Sequence, residues 1–514
     1  MPLLLVEFDV AVDDAGTVET WRAATEGYNH SSAPGFFPEV IQDSISITRE
    51  IRGEEDRRRA AAVDFSDLVL INADGRFDAL IDYGFDGRAV RGYLVDDAWT
   101  PWDERVALFA ATMGPPSFDL ETITIPIRDR LAEFEQPFHF GTYEREHSLD
   151  GTDTTKGSPR PAPEGWCYNV QIPLVNEDRK VYQFADTEVD ADVADVFIGG
   201  VRLARGDDYT SQEDMEDNPP DGSEYRCWPR KNGEGGYIRM PGSPIAAVTA
   251  NIETLADNRI GSVFKRLALR APTITEDDIS QGDIDALNDA MPWEVGAHAD
   301  FEVDLLDELE RLCRGAGVWF GFDRFGYLRL GIWNRPEPGG PRFIVADPVD
   351  HPVSAHEYDI EEFEAEPTED RDLPAYSVTV QFARNHTVQP GLQTDQLEAE
   401  RRAWLEREWT REKAKDESVR DKHKSAQEIE VESAWATRDG AEDAAARILE
   451  RAKTRAIRAV VTTWMGRGVV DDVELAGNVE VRIDRYGMKG GRAFRVRRIN
   501  LDPVENRIEL GVWG

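Results

Sequence analysis

The order of apolar and polar positions divides the chain into β-rich stretches interrupted by a few helical ones. Leu3 to Val10 reads as a first strand. Leu68 to Asn72 reads as another, followed by turns at Asp74-Gly75 and Asp86-Gly87 with a strand toward Tyr83 between them. Val90 to Val95, Val106 to Ala110 and Phe118 to Ile127 continue the alternation, and Arg128 to Phe134 predicts a short helix or turn closing the unit. Residues 145–165 are dense in Gly, Pro and small polar side chains, which predicts a linker or long loop with no apolar face to bury. Beyond it, Tyr168 to Val175, Val181 to Ala185 and a hairpin over Val196 to Leu203 that turns on Gly199-Gly200 outline a second, small β-unit ending near residue 252.

Helical spacing appears later. Leu305, Leu306, Leu309, Leu312 and Cys313 form one apolar stripe, ending at Gly315 or Gly317 and leading into a hairpin over Val318–Trp333. Residues 391–430 are charged and rich in helix formers, with opposite charges three and four apart, which predicts solvated helices. Ala441, Ala444, Ala445, Ile448, Leu449 and Ala452 place a second helix over about 440–458. The strands 460–464, 479–483, 493–499 and 507–513 then make a compact, barrel-like ending.

Length and charge narrow the reading. At 514 residues the chain exceeds one ordinary core, and two to four domains are expected. The boundaries proposed by the pattern are 1–145, an N-terminal domain containing a β-barrel; 146–260, an inserted β-domain; 261–350, a helix plus hairpin; and 351–514, an α/β segment with a closing barrel. The fold class is mainly β with α, α+β and multidomain. No apolar run approaches the length of a membrane-spanning helix, and the N-terminus lacks the basic flank of a signal peptide. Acids outnumber bases 100 to 59, a net charge of −41, so general binding to phosphate or anionic membranes is disfavoured. Of the bases only ten are Lys, an Arg-rich, acidic composition that resembles salt-adapted proteins, in which strong screening lowers self-repulsion.

Candidate chemistry is sparse. There is no phosphate-binding loop, HExxH, GxSxG or dinucleotide glycine triplet, and Cys167, Cys227 and Cys313 are too scattered for a disulfide framework or zinc site and read as buried thiols. His351 and His356 with Asp347, Asp350 or Glu357 would hold a metal only on a fortunate loop, and solvated histidines are expected instead. The acids 361–372 lack the spacing of a calcium loop and read as solvated. Trp99, Trp102, Trp166 and Trp228 are able to stack on sugars, but scattered aromatics in a β-protein are more often core or interface anchors. No catalytic, cofactor or metal residue is assigned, and no enzyme is expected.

Three segments carry a family resemblance. The C-terminal succession runs from Tyr376-Ser-Val-Thr-Val-Gln-Phe382 through the charged tract and the Ala-rich helix to Arg485-Tyr-Gly-Met-Lys-Gly-Gly-Arg-Ala-Phe-Arg-Val496 and Ile508-Glu-Leu-Gly-Val-Trp-Gly514. It resembles the C-terminal part of baseplate-hub and tail-tip proteins of siphoviruses and Mu-like phages. Asp82–Val90 with Ile123–Leu131, and the helix-hairpin over Leu305–Ile332, resemble other parts of the same family. The resemblance implies two hub-type β-barrels per chain, near 75–135 and 376–514, and a homotrimer presenting six barrels to a sixfold tail tube. It implies a virion tail-tip protein, assembled in the host cytoplasm, that closes the tube and serves host attachment and genome ejection. The implied partners are the tail tube or distal ring protein, the tape-measure protein and tail fibre or tip proteins, with DNA only passing through the lumen and no membrane insertion. A negative lumen would keep the genome from adhering. The alternative reading is a receptor- or carbohydrate-binding tail protein whose module is the unit at 166–252.

Overall fold

The computed structural model describes residues 2–42, 45–51, 60–186, 190–299, 303–337, 343–346, 357–366, 373–392, 396–464, 470, 472–503 and 506–514. Strand accounts for 39% of residues and helix for 17%, so the mainly β expectation holds. None of the sheets closes into a barrel among the described residues, contrary to the two closed barrels expected; instead two sets of ladders curl.

The first set uses the N-terminal strands. Leu3–Ala11 lies between Val18–Ala24 and Ala89–Val95, and Val106–Met113 extends the sheet. Leu68–Ile71 pairs with Thr122–Ile125 in a separate ladder. A strand broken at Pro126, which has no N–H for a ladder, leaves that ladder at Ile125 and joins Val106–Met113 at Ile127. Single bridges Ala24–Glu39 and Ile41–Leu70 link the far edges, so both ladders face one interior. The segment expected as a strand toward Tyr83 is a 3₁₀ turn, Asp78–Asp82, set by Asn72, whose Oδ1 accepts from Phe77 N and whose Nδ2 donates to Asp78 Oδ1.

The second set takes the last strands, with Arg492–Asp502 between Asn478–Arg482 and Arg507–Trp513, and Arg458–Trp464 beyond. Its two ends, Glu357–Asp359 and Glu362–Ala365, are separated only by Ile360 and Glu361, so the sheet curls back on itself. Part of the acidic stretch expected as a solvated loop is therefore strand, neutralised by Arg507 near Glu361 and Glu362 and by Arg497 at Glu366. The hairpin Ile47–Ile51 with Ala61–Phe65 comes from the N-terminal region but pairs with Arg492–Asp502. Apolar residues from both sets, Phe8, Val90, Phe109, Val481, Phe494 and Leu510 among them, form one buried cluster.

Residues 376–452, expected in the second barrel, belong elsewhere. Strand Ala375–Phe382 packs with helices Ile260–Ala268, Leu305–Arg314 and Arg438–Ala452 and the hairpin Val318–Phe322/Leu328–Ile332 around Phe264, Leu309, Phe320 and Trp435. The inserted β-unit is a sandwich of two five-stranded sheets. One of them includes Gly296–Ala297 from the body, paired with Glu164–Gln171. Residues 145–163 form the long loop expected, but one that packs into the structure. Tyr143, Leu149 and Ala162 are buried, and Asp150 accepts from Arg160 and from the Glu146 N–H, so a polar framework orders a segment poor in apolar residues.

Candidate assembly surfaces

The charged tract departs most from its expected form. Among its described residues only Ala399–Leu405 and Ser418–Lys422 are helical; Thr410–Lys415 and Gln427–Glu432 are strands flanking Ala375–Phe382. Both flanking strands alternate half-buried and exposed residues, a period of two hidden beneath salt-bridge spacing that also suits a helix. On the inner face Ala414, Ile429 and Val431 meet the helical core. The outer face carries an ordered charge pattern. Arg411, Lys413 and Lys415 form one column, Glu428, Glu430 and Glu432 the other, with Ser377, Thr379 and Gln381 between. Arg411 reaches Glu430 at 2.9 Å and Lys413 reaches Glu428 at 3.1 Å across the central strand, which leaves Ser377 fully buried.

The inserted sandwich is joined to the body by buried polar contacts. Glu164, fully buried, accepts from Arg266 Nε at 2.9 Å and Arg270 Nη2 at 2.8 Å. Burial pushes the Arg270 guanidinium down and the Glu164 carboxylate opposes that shift. Asn169 donates to Asn385 Oδ1 and the Thr387 carbonyl and accepts from Thr249. His298 and His386 meet edge to face at 5.2 Å, and burial, then His298, holds the His386 imidazole well below its ordinary value. The segment 396–405 lies over the sandwich: Arg401 stacks on Phe197 and Trp404, and Trp404 meets Tyr168. The Gly199-Gly200 turn faces it so closely that a Cβ on Gly200, whose φ is +81°, would stand 2.4 Å from Leu405 Cδ1.

The aromatics considered for sugar stacking do not converge. Trp99 is exposed, Trp102 packs on Phe37 and Tyr93, Trp166 meets Tyr168, and Trp228 stacks on Tyr237. A cavity of about 300 Å³ in the sandwich is lined by Arg202, Arg205 and Tyr225 among others, and none of these four tryptophans lines it. A second, of about 280 Å³, gathers Arg91, Arg105 and Arg324 beside Tyr93 and Phe325, a cationic cleft that the sequence left unsuspected because its residues come from distant segments. The three cysteines are buried free thiols, and burial pushes Cys167 up to about 12. His351, His356, Asp347 and Asp350 lie outside the described residues, as does the Glu357 side chain. Among the described residues no cluster of His, Cys, Asp and Glu is arranged to hold a metal, and no helix is long and apolar enough to cross a membrane.

No protein-family model matches the chain, and no curated protein matches it significantly. Among solved structures it is similar to a tail protein from Neisseria meningitidis MC58, at 10% identity and a TM-score of 0.42, over 99% of this chain and 96% of that one. It is also similar to the 43 kDa tail protein of prophage MuSo2 from Shewanella oneidensis, at 12% identity and a TM-score of 0.37, over 100% and 96%. A chain of the virion of a native gene transfer agent particle is similar at 14% identity and a TM-score of 0.37, over 73% and 87%.

Proposed function

We propose that this chain is a structural component of a virion tail tip, a baseplate hub whose copies form a ring that closes the tail tube and connects it to distal proteins for host attachment and genome ejection. The observation that carries the reading is the pair of curled ladder sets built around one buried cluster. Of the segments bearing the hub resemblance, Asp82–Val90, Ile123–Leu131 and the strands after Arg485 fall in these sets, while Tyr376–Phe382, the Ala-rich helix and Leu305–Ile332 pack in the helical layer. In this reading the two sets stand where the resemblance implies two hub-type barrels. A trimer then offers six such units to a sixfold tube, with the buried cluster fixing their relative orientation. The tube or distal ring protein, the tape-measure protein and fibre or tip proteins are the partners, and DNA passes through the lumen without being bound.

Gold-labelled antibody against this chain, applied to intact particles, tests the assignment together with the mass of the purified assembly. Label at the distal end of the tail and a trimeric mass are expected. Label along the tail, or none on particles, overturns it.

A further inference from the structure

The sheet formed by Ala375–Phe382, Thr410–Lys415 and Gln427–Glu432 ends on two free edges of opposite charge. Its hydrogen-bond phase follows from three contacts. Asp416 N donates to the Tyr376 carbonyl, Gln427 N to Pro374 and Ser433 N to Gln381, so the backbone at these positions points inward. Alternation then turns the N–H and C=O groups of Arg411, Lys413 and Lys415 outward on one edge, and those of Glu428, Glu430 and Glu432 outward on the other. Among the described residues no backbone-to-backbone hydrogen bond leaves the outward side of either strand, and the Lys413 N–H meets only the Oε1 of its neighbour Glu412, at 3.4 Å. The same six residues carry the charge columns of the outer face.

We propose that these edges pair with each other between copies of this chain, Thr410–Lys415 of one copy with Gln427–Glu432 of the next. Three features fit. Direction is right: Thr410–Lys415 runs antiparallel and Gln427–Glu432 parallel to the central strand, so continuing the sheet from one copy to the next joins them antiparallel. Phase is right: in the register that sets Lys413 opposite Glu430 and Lys415 opposite Glu428, outward donors and acceptors face each other, and Ala414 meets Ile429 on the inner face. Charge is right as well: Lys413 and Lys415 each gain a directly opposed carboxylate at about 5 Å between backbones, whereas within one copy Lys413 must reach over two strand spacings, roughly 9.6 Å, to Glu428. At Glu432 the carbonyl lies close to Gly315, where a Cβ would stand 2.6 Å away, so the pairing runs through Glu428 and Glu430. In a chain of net charge −41, a basic edge is an uncommon place for an acidic segment to dock.

The contact is heterologous, one edge meeting a different one, and such a contact builds a ring when its rotation closes. The inference therefore deepens the hub reading and rests on its premise that copies associate.

The test compares association of the purified full chain by sedimentation equilibrium with two doubly reversed variants, Lys413→Glu with Lys415→Glu, and Glu428→Lys with Glu430→Lys. The internal pairs they break are about half exposed and weak, and an unchanged far-ultraviolet circular dichroism spectrum verifies the fold. Each variant alone is expected to associate at least about tenfold more weakly than the unmodified chain. An equimolar mixture of the two is expected to recover association, because the positions that pair are then acidic on both edges of one variant and basic on both edges of the other. Lys413→Pro, which removes an outward donor and no ladder bond, is expected to weaken association as well. If the unmodified chain associates and the variants do so equally, the edge pairing is wrong while the ring stands. If the unmodified chain stays monomeric at every accessible concentration, both fall.

Discussion

Thr48 Oγ1 donates a 3.0 Å hydrogen bond to Asn500 Oδ1, joining side chains 452 positions apart in sequence. The bond lies where Ile47–Ile51 pairs with Arg492–Asp502, the seam through which the N-terminal region enters the C-terminal sheet. Arg49, on the same strand, donates to the Phe322 carbonyl and pairs with Glu474 at 2.6 Å, so the seam also touches the helix-hairpin layer.

Because both ladder sets share a cluster, damage on one side should be felt on the other. Phe494→Ala, at a fully buried position, is expected to cost about 3–5 kcal/mol. Hydrogen exchange should then accelerate in Ile47–Ile51 and Ala89–Val95 as well as around residue 494. Exchange that rises only near 494 would mean the two sets are stable independently.

The ion cluster at the sandwich junction makes a second prediction. Glu164→Gln leaves Arg270 buried without a counter-charge and is expected to destabilise by about 3–5 kcal/mol. Replacing Glu164 and Arg270 together with apolar residues of similar volume should recover much of the loss. Chemical denaturation of the three proteins checks this, and a single variant as stable as the parent refutes it.

Two half-buried groups push stability in opposite directions with pH. His386 has its folded value depressed below 6.5, so the unfolded chain binds more protons and stability is lost as pH falls through about 6.5. Asp129, raised to about 6 by burial despite N–H donation from Leu131 and Val63, contributes stability below its unfolded value of 3.8 that is lost as pH rises through about 6. Melting curves from pH 4 to 8 should show His386→Phe losing the acid-side decline and Asp129→Asn losing the opposing one. Identical pH profiles for parent and variants would refute both.

The Gly200 turn is predicted to admit no side chain. Gly200→Ala combines a left-handed backbone with a clash at Leu405 and is expected to cost about 1–3 kcal/mol, expressed locally. Limited proteolysis within 396–407 should become faster while the sandwich resists; an unchanged cleavage pattern counts against the docking described here.

Salt supplies a fifth prediction. With a net charge of −41, the melting temperature should rise as added salt shortens the screening length from about 10 Å at 0.1 M to about 3 Å at 1 M. A melting temperature independent of salt would remove the reading of the acidity as salt adaptation.

What the sequence made legible follows from the kind of signal each element carries. The helix at Leu305–Arg314 and the four closing strands rest on local periodicity, and the structure has them within a few residues. Thr410–Lys415 was misread because Arg, Glu and Lys at alternating positions satisfy helical ion-pair spacing as well as a two-sided strand, and only the partner strand Ala375–Phe382 decides between them. Partners are also what sheet closure depends on: periodicity marks a strand, whereas the bridges at Ala24–Glu39 and Ile41–Leu70 join residues no local pattern connects. The opposed edges were hidden for the same reason, since the phase of outward backbone groups exists only once the register is known.

The pairing of Ile47–Ile51 with Arg492–Asp502 also sets a schedule for biosynthesis. At a synthesis rate of about 5–20 residues per second, the early hairpin waits roughly 20–90 s for its partner strand to be made. Until then the cluster that orients both ladder sets lacks Phe494, Val496, Ile499 and Leu501 and the members from the closing strand. The two ladder sets thus take their final mutual orientation only once Arg492–Asp502 and Arg507–Trp513 have been made.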